Sequence, residues 1–328
     1  MSSPFPRLCI VGAGAIGCTL AARLGTSGQP VSLLARGNTL AALREQGVRL
    51  TDLDGTHQVA VRAEADCAAL GEQDLIFLCV KAPALAGLLP GLAPLIGPET
   101  VVVPVVNGVP WWYFHGETGR FANERVEAVD PDGTLAAALD PAHLLGCVVF
   151  ITAEVEAPGT VRSGNPHLMI LGEPDNRLSP RLEQVRALIE GAGIEARATD
   201  RIRDQLWTKI IANLTSNPLS VVTGATLEEI YGEPELRQVA GKILHEALLT
   251  AAAYGARVSI DPQSFLDLGA GMGAVRTSML QDHEAGRPLE LAAIGDAVLE
   301  LAGYQGLAMP VTRDILTLAR CRSRHRPA

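Results

Sequence analysis

The segment Leu8-Cys9-Ile10-Val11-Gly12-Ala13-Gly14-Ala15-Ile16-Gly17 joins a four-residue aliphatic run to three glycines at positions 12, 14 and 17. The run reads as a buried strand, and the glycines fall where that strand must turn into a helix. At such a turn Gly12 permits the sharp bend, Gly14 lets the backbone approach a pyrophosphate, and Gly17 lets the helix lie close to the strand. The helix N-terminus then faces the negative charge. Gly12, Ala13, Gly14, Ala15, Ile16 and Gly17 are therefore candidate dinucleotide-binding residues. The alternative is an ordinary strand-to-helix turn, but a helix expected over 15–26 and a second strand over 31–35 complete a βαβ opening. Arg7 followed by this apolar stretch also resembles a secretory signal; the three glycines argue against that.

Working outward, buried parallel strands are expected at 75–80 and 101–106, with 83–96 as the crossover between them. A doubly wound parallel sheet follows, and residues 48–61 are expected to add one or two accessory strands. Regularity stops after Asn107 until about residue 144, a stretch that carries Trp111, Trp112, Tyr113 and Phe114 together. A loop that long is functional or contains unrecognised helix. Strand character returns at 146–155 and 167–171, joined through Pro158-Gly159, and 180–191 reads as a helix. Beyond Asp200 the pattern is helical, with breaks at Pro218, Pro234, Pro262, Pro288 and Pro310 dividing five or six helices. The fold class expected is an α/β N-terminal Rossmann-like dinucleotide-binding domain over 1–198, with an insertion at about 110–145, plus an all-α C-terminal domain over 199–328.

Composition agrees with two cores. The chain has 328 residues, 48% hydrophobic and 19% charged, with only 4% aromatic. No run approaches the ~20 uninterrupted apolar residues of a membrane span, so no membrane partner is expected. A net charge of −9 makes nucleic acid an unsuitable main partner,. Arg320, Arg322, Arg324 and Arg326 crowd the last nine residues; a solvated, frayed terminus is expected there, and no function is assigned to it. The six cysteines, Cys9, Cys18, Cys67, Cys79, Cys147 and Cys321, have no Cys-x-x-Cys spacing. They read as small hydrophobes in a reducing cytoplasm, with no metal site expected.

The second strand ends Leu34-Ala35-Arg36-Gly37, with neither Asp nor Glu where an acid would hold the ribose 2′-hydroxyl of NAD,. Arg36 instead offers a guanidinium to a 2′-phosphate, which favours NADP(H). Past two other strand ends stand Lys81 and Asn107. Lys81 can contact cofactor phosphates or a substrate carboxylate, or simply reach solvent; Asn107 can hydrogen-bond the nicotinamide ribose or the substrate, or cap the turn before Gly108. Lys209, Asn213 and Asn217 recur at i, i+4 and i+8, placing one ammonium and two amides on one helix face,. A solvated polar face is the default reading of such a stripe, although asparagine is a poor choice for an exposed helix interior.

These motifs, with Leu206-Trp207-x-Lys209 and Ser278-Met279-x-x-Asp282 followed by Glu290, resemble the ketopantoate reductase family (2-dehydropantoate 2-reductases). The resemblance covers the chain apart from about residues 110–145. It implies NADPH-dependent reduction of a 2-keto acid, ketopantoate to pantoate in pantothenate biosynthesis, in a cleft between the two domains. Position by position, it implies that Lys209 is the catalytic lysine and Glu290 a glutamate near cofactor and substrate. Asn107, Asn213, Asn217 and Ser278 match polar groups that hold substrate or the nicotinamide half of the cofactor. Two departures bear on the substrate: the aromatic insertion after Gly108, and Leu227, which stands where familiar members carry an asparagine that contacts substrate. Alternatives are the same chemistry on another 2-keto acid, a non-catalytic NADP(H)-binding sensor, or a related 3-hydroxy acid dehydrogenase. A homodimer through the helical domain is a further expectation.

Overall fold

The structure is a computed structural model that describes residues 4–259 and 261–325. The chain divides into two compact units. The first takes residues up to 106, 114–124 and 134–202; the second takes 107–113, 125–133 and the residues from 203 onward. The segment 110–145 is thus shared between them.

In the first unit five parallel strands form one sheet, in the order Arg62–Glu64, Ser32–Leu34, Leu8–Val11, Gln73–Leu78, Ile96–Pro104. Leu8–Val11 is central and wholly buried, as its run of four apolar residues requires. The helix Ala15–Thr26 follows it directly. Because every strand points the same way, their C-terminal ends share one edge, where ligands of open α/β sheets bind. The crossover before Ile96–Pro104 is not one regular helix but 3₁₀ and α turns over Ala82–Ala84, Leu85–Leu88 and Leu89–Leu95. Pro83, Pro90 and Pro94 each lack the amide N–H an α-helix would use.

The accessory region is a hairpin, Val48–Asp52 and Gly55–Val59, joined by Thr160–Ser163 and Ala153–Ala157 in a four-stranded sheet. The single strand expected at 146–155 is two strands in different sheets. Gly146–Phe150 pairs instead with Leu168–Gly172, which also pairs with Glu195–Ala198. The break falls at Thr152, whose N–H donates to Asn165 Oδ1 at 2.6 Å and whose carbonyl accepts from Ser163 Oγ at 2.8 Å. Cys9 and Cys18 lie in this unit's core, and burial pushes both thiols up to about 12; they are protonated packing groups.

The second unit contains seven α-helices among the described residues: Ile202–Thr223, Leu227–Gly232, Pro234–Ala253, Pro262–Ala270, Ser278–Glu284, Ala297–Tyr304 and Pro310–Arg324. Five or six were expected. Pro234, Pro262 and Pro310 open helices at the first turn, where no N–H is needed,. Pro218 does not break its helix but lies inside Ile202–Thr223; neighbouring Thr215 and Ser216 bond their hydroxyls to the carbonyls of Ile211 and Ala212. A π-helical turn, Ala292–Asp296, leads into Ala297–Tyr304.

Over its described residues the basic terminus is helical rather than frayed, which corrects part of the expectation, while Arg322 and Arg324 are exposed, as a solvated end would be. Pro310–Arg324 is helical, its N-terminus held by Glu246, whose carboxylate accepts from the N–H of Val311 (3.0 Å) and Thr312 (2.9 Å). Arg320 pairs with Asp296 of the π turn, and Arg322 donates to the carbonyl of Val222 near the end of Ile202–Thr223. Both partners belong to the same unit, and the Val222 carbonyl lies in the last turn of its helix, where carbonyls lack intrahelical donors and a cation is favoured,. Arg326 lies outside the described residues. No helix of the described residues is long and apolar enough to cross a membrane.

Candidate active site

The glycine turn of the first unit is built as its residue types demand. Gly12 has φ +106°, and a Cβ there would lie 2.6 Å from the Cys79 carbonyl oxygen. A Cβ on Gly17 would lie 1.9 Å from the Gly12 carbonyl oxygen. These two glycines are fixed by packing. Gly14 is different: it has an ordinary φ of −83°, is exposed, and would find nothing within 4 Å of an added Cβ. It is the N-cap of Ala15–Thr26, and no side chain caps that helix. The Gly12 N–H is taken by the Leu34 carbonyl at 3.2 Å, but the start of the helix Ala15–Thr26 has no side-chain cap and stands beside a glycine whose missing side chain is not needed for packing. That combination fits a pyrophosphate.

Around this turn the charge is arranged as follows. Arg36 is exposed and precedes the helix Gly37–Gln46. The acid nearest in register is Glu64, opposite Leu34 on the adjoining strand, and it is held by Arg44 at 2.6 Å. Among the described residues no carboxylate forms an ion pair with Arg36. Ala13, Ala15 and Ile16 are half-buried within the turn. Lys81 is exposed, three residues past the strand Gln73–Leu78 and next to Val80, whose side chain would meet a Cβ on Gly12.

In the second unit the stripe Lys209, Asn213 and Asn217 runs along Ile202–Thr223, as its spacing predicts. Lys209 and Asn213 are half-buried, while Asn217 is only 4% exposed. Asn217 Oδ1 accepts from Ser216 Oγ at 3.3 Å, yet its Nδ2 is buried without a hydrogen-bond partner. A buried amide donor left unmet is costly, so this atom points to an acceptor that the protein itself does not supply. Ser220, one turn on, bonds Thr277 Oγ1 at 2.7 Å, and both are buried. Thr277 caps Ser278–Glu284, so this link brings Asn217 and Ser278 onto joined elements. Ser278 itself is exposed at the first helical position.

Glu290 is 6% exposed and sits at the start of the helical run containing the π turn; its carbonyl accepts from Ile294 N–H at 3.0 Å. Asn107 comes to the same place by a route not visible in the sequence. The N–H of Val109 donates to the Ala293 carbonyl at 2.8 Å, and Gly108, with φ +87°, would carry a Cβ only 2.5 Å from that carbonyl. Asn107 is thereby anchored beside the turn that follows Glu290. The π turn has no sequence signature; Gly295 within it was the available hint, since its missing Cβ lets Leu316 pack 2.3 Å from where that atom would be,. Leu227 is buried, its N–H bonded to the Val275 carbonyl at 2.9 Å.

The aromatic insertion is core. Trp111, Trp112, Tyr113 and Phe114 are all buried. Tyr113 Oη accepts from Trp207 Nε1 at 2.7 Å, and its ring meets those of Trp207 and Tyr254 edge-on at 6.3 and 5.9 Å. Among the described residues no group of three or more His, Cys, Asp or Glu side chains is placed to hold a metal.

The chain matches known proteins over nearly all of its length. The family model described as ketopantoate reductase PanE/ApbA matches residues 8–176, and its C-terminal counterpart matches residues 201–322. A 2-dehydropantoate 2-reductase of Mesorhizobium japonicum is 39% identical over 316 residues, 96% of this chain and 97% of its own. A crystal structure of a putative ketopantoate reductase from Ralstonia solanacearum is 42% identical, covers 98% of both chains and superposes with a TM-score of 0.92. That of a 2-dehydropantoate 2-reductase from Geobacter metallireducens is 27% identical, with a TM-score of 0.85 and coverage of 96% of this chain and 99% of its own.

Proposed function

Since the chain belongs to the ketopantoate reductase family of oxidoreductases, we propose that it reduces a 2-keto acid to a 2-hydroxy acid with NADPH, ketopantoate to pantoate in pantothenate biosynthesis being the substrate pair. The observation that carries the reading is the buried, unpartnered Asn217 Nδ2 on the same helix face as Lys209. It asks for a hydrogen-bond acceptor, and a keto acid offers three oxygens.

The residues that would hold the cofactor are Gly12 to Gly17 at the pyrophosphate, with Arg36 and Lys81 toward phosphate and Asn107 toward the nicotinamide ribose. Arg36, exposed and without a carboxylate partner among the described residues, suits a 2′-phosphate. The cofactor supplies the hydride that reaches the keto carbon. The protein's task is then the oxygen, which gains negative charge and needs a proton. Lys209, as an ammonium, stabilises that oxygen and donates the proton from Nζ. Asn213 and Asn217 orient the carboxylate and carbonyl through their amides, and Asn217 uses the donor left unmet inside the protein. Ser278 adds a hydroxyl at a helix start, and Glu290 accepts from a substrate hydroxyl.

Leu227 favours keeping a second reading, reduction of another 2-keto acid. A buried leucine cannot hydrogen-bond the hydroxymethyl branch of ketopantoate,. The test is NADPH oxidation against a panel of 2-keto acids that includes ketopantoate. Turnover with ketopantoate at the highest kcat/KM is the expected result. Turnover with other keto acids but never with ketopantoate removes the pantoate assignment, and no turnover with any removes the reductase reading.

A further inference from the structure

The seven residues Asn107–Tyr113 belong to the helical unit although they precede it in the chain by nearly a hundred residues. They are fixed there at both ends. At one end Gly108 and Val109 lie against Ala293, three residues past Glu290. At the other, Tyr113 is 2% exposed and Trp207 is fully buried; the Trp207 indole N–H donates to Tyr113 Oη at 2.7 Å. Arg203, one turn before Trp207, donates from Nε to the Tyr113 carbonyl at 2.7 Å and lays its guanidinium 5.7 Å from the centre of the Tyr113 ring. Tyr254 closes the cluster, its ring 6.5 Å from that of Trp207 and its hydroxyl donating to the Leu301 carbonyl at 2.8 Å.

Trp207 and Lys209 are two residues apart, about 200° around the helix, so they occupy nearly opposite faces. Whatever fixes the depth and roll of Trp207 therefore fixes the direction in which Lys209 leaves the helix. Packing of apolar rings alone tolerates small rotations. One hydrogen bond between two buried groups does not, because the indole N–H has no water to turn to.

We infer that Tyr113 is a positioning residue for Lys209, acting through Trp207, and that the strap 107–113 holds Asn107 and Lys209 in one frame. This rests on the reading of Lys209 as the proton donor. Within the strap Trp111, Trp112 and Tyr113 are all buried, and Tyr113 is the ring whose hydrogen bond reaches the helix that carries the lysine.

The test is Tyr113→Phe, which keeps the ring and removes the acceptor. Two quantities are measured on samples of verified thermal transition: steady-state kinetics across pH, and the pH dependence of Lys209 acetylation by acetic anhydride in cofactor-free protein, read by mass spectrometry. The expected result is a fall in kcat of about 10- to 100-fold, the scale of a small misplacement. KM for NADPH should stay nearly unchanged, and the Lys209 acetylation profile should be displaced. A lowered thermal midpoint with kcat, pH profile and acetylation profile all unchanged means a merely structural pair and overturns the inference. Should Tyr113→Phe not fold, Trp207→Phe, which removes the donor instead, is judged by the same two readouts. A displaced acetylation profile in a protein whose wild type reduces no keto acid would leave the positioning intact and remove the functional reading on which it was framed.

Discussion

At the residue scale the three glycines of the turn separate into two kinds. Gly17 and Gly12 are required by close packing, whereas Gly14 stands in open space at a φ any residue can adopt. Gly17→Ala should therefore lower stability markedly, because its Cβ cannot be placed without moving the Gly12 carbonyl. Gly14→Ala should leave the thermal midpoint within a few degrees of wild type and weaken NADPH binding several-fold or more. Thermal unfolding and fluorescence titration on both variants check this; equal effects on binding and folding would contradict it. Arg36→Glu should weaken NADPH and leave NADH binding comparatively intact, as competing titrations with the two cofactors would measure. The glycine spacing, the missing acid and the Lys209 stripe were readable because each depends on neighbours within a strand end or a helix turn. The partner of Trp207 was not, since Tyr113 lies 94 residues away and its role exists only after folding.

At the scale of elements, the chain's prolines taught the limits of local reading. Four of the expected breaks lie at or between helices; Pro218 lies inside one, where surrounding packing outweighs the lost N–H bond,. The terminal helix is set by distant contacts in a similar way. Arg320 and Arg322 look like part of a frayed tail until Asp296 and the Val222 carbonyl are brought within reach. Its start depends on Glu246, which answers the N–H groups of Val311 and Thr312 and the Thr312 hydroxyl at 2.6 Å. Glu246→Ala should cost about 1–3 kcal/mol, the desolvation left when such donors lose their acceptor. Chemical denaturation would register it, and an unchanged midpoint would show that this carboxylate is dispensable. Because Arg320 of the same helix grips Asp296 in the π turn, the variant should also impair turnover more than NADPH binding.

For the whole molecule, stability should depend on pH through a group to which no part in the reaction is given. Burial, reinforced by Arg23, holds the His167 imidazole below its usual 6.5, against the opposing pull of Asp52 and Asp54. Its Nε2 lies 2.8 Å from the Ser163 hydroxyl. As pH falls through about 6.5 the unfolded chain takes up a proton that the folded chain still refuses, so folding stability declines until the folded pKa is passed. Thermal midpoints of wild type and His167→Gln across that range should show the decline reduced in the variant; parallel curves would contradict it. The parallel sheet and the helical half followed from periodicity, but the division of residues 107–133 between two units did not, because it is decided by contacts distant in sequence. The central claim is that the Lys209 ammonium protonates a carbonyl as it is reduced, and single-turnover oxidation of bound NADPH by ketopantoate in wild type and Lys209→Ala tests it most directly. The account predicts a rate lower by about 10² to 10⁴ in the variant, with NADPH affinity retained. A variant that oxidises NADPH at the wild-type rate would contradict it.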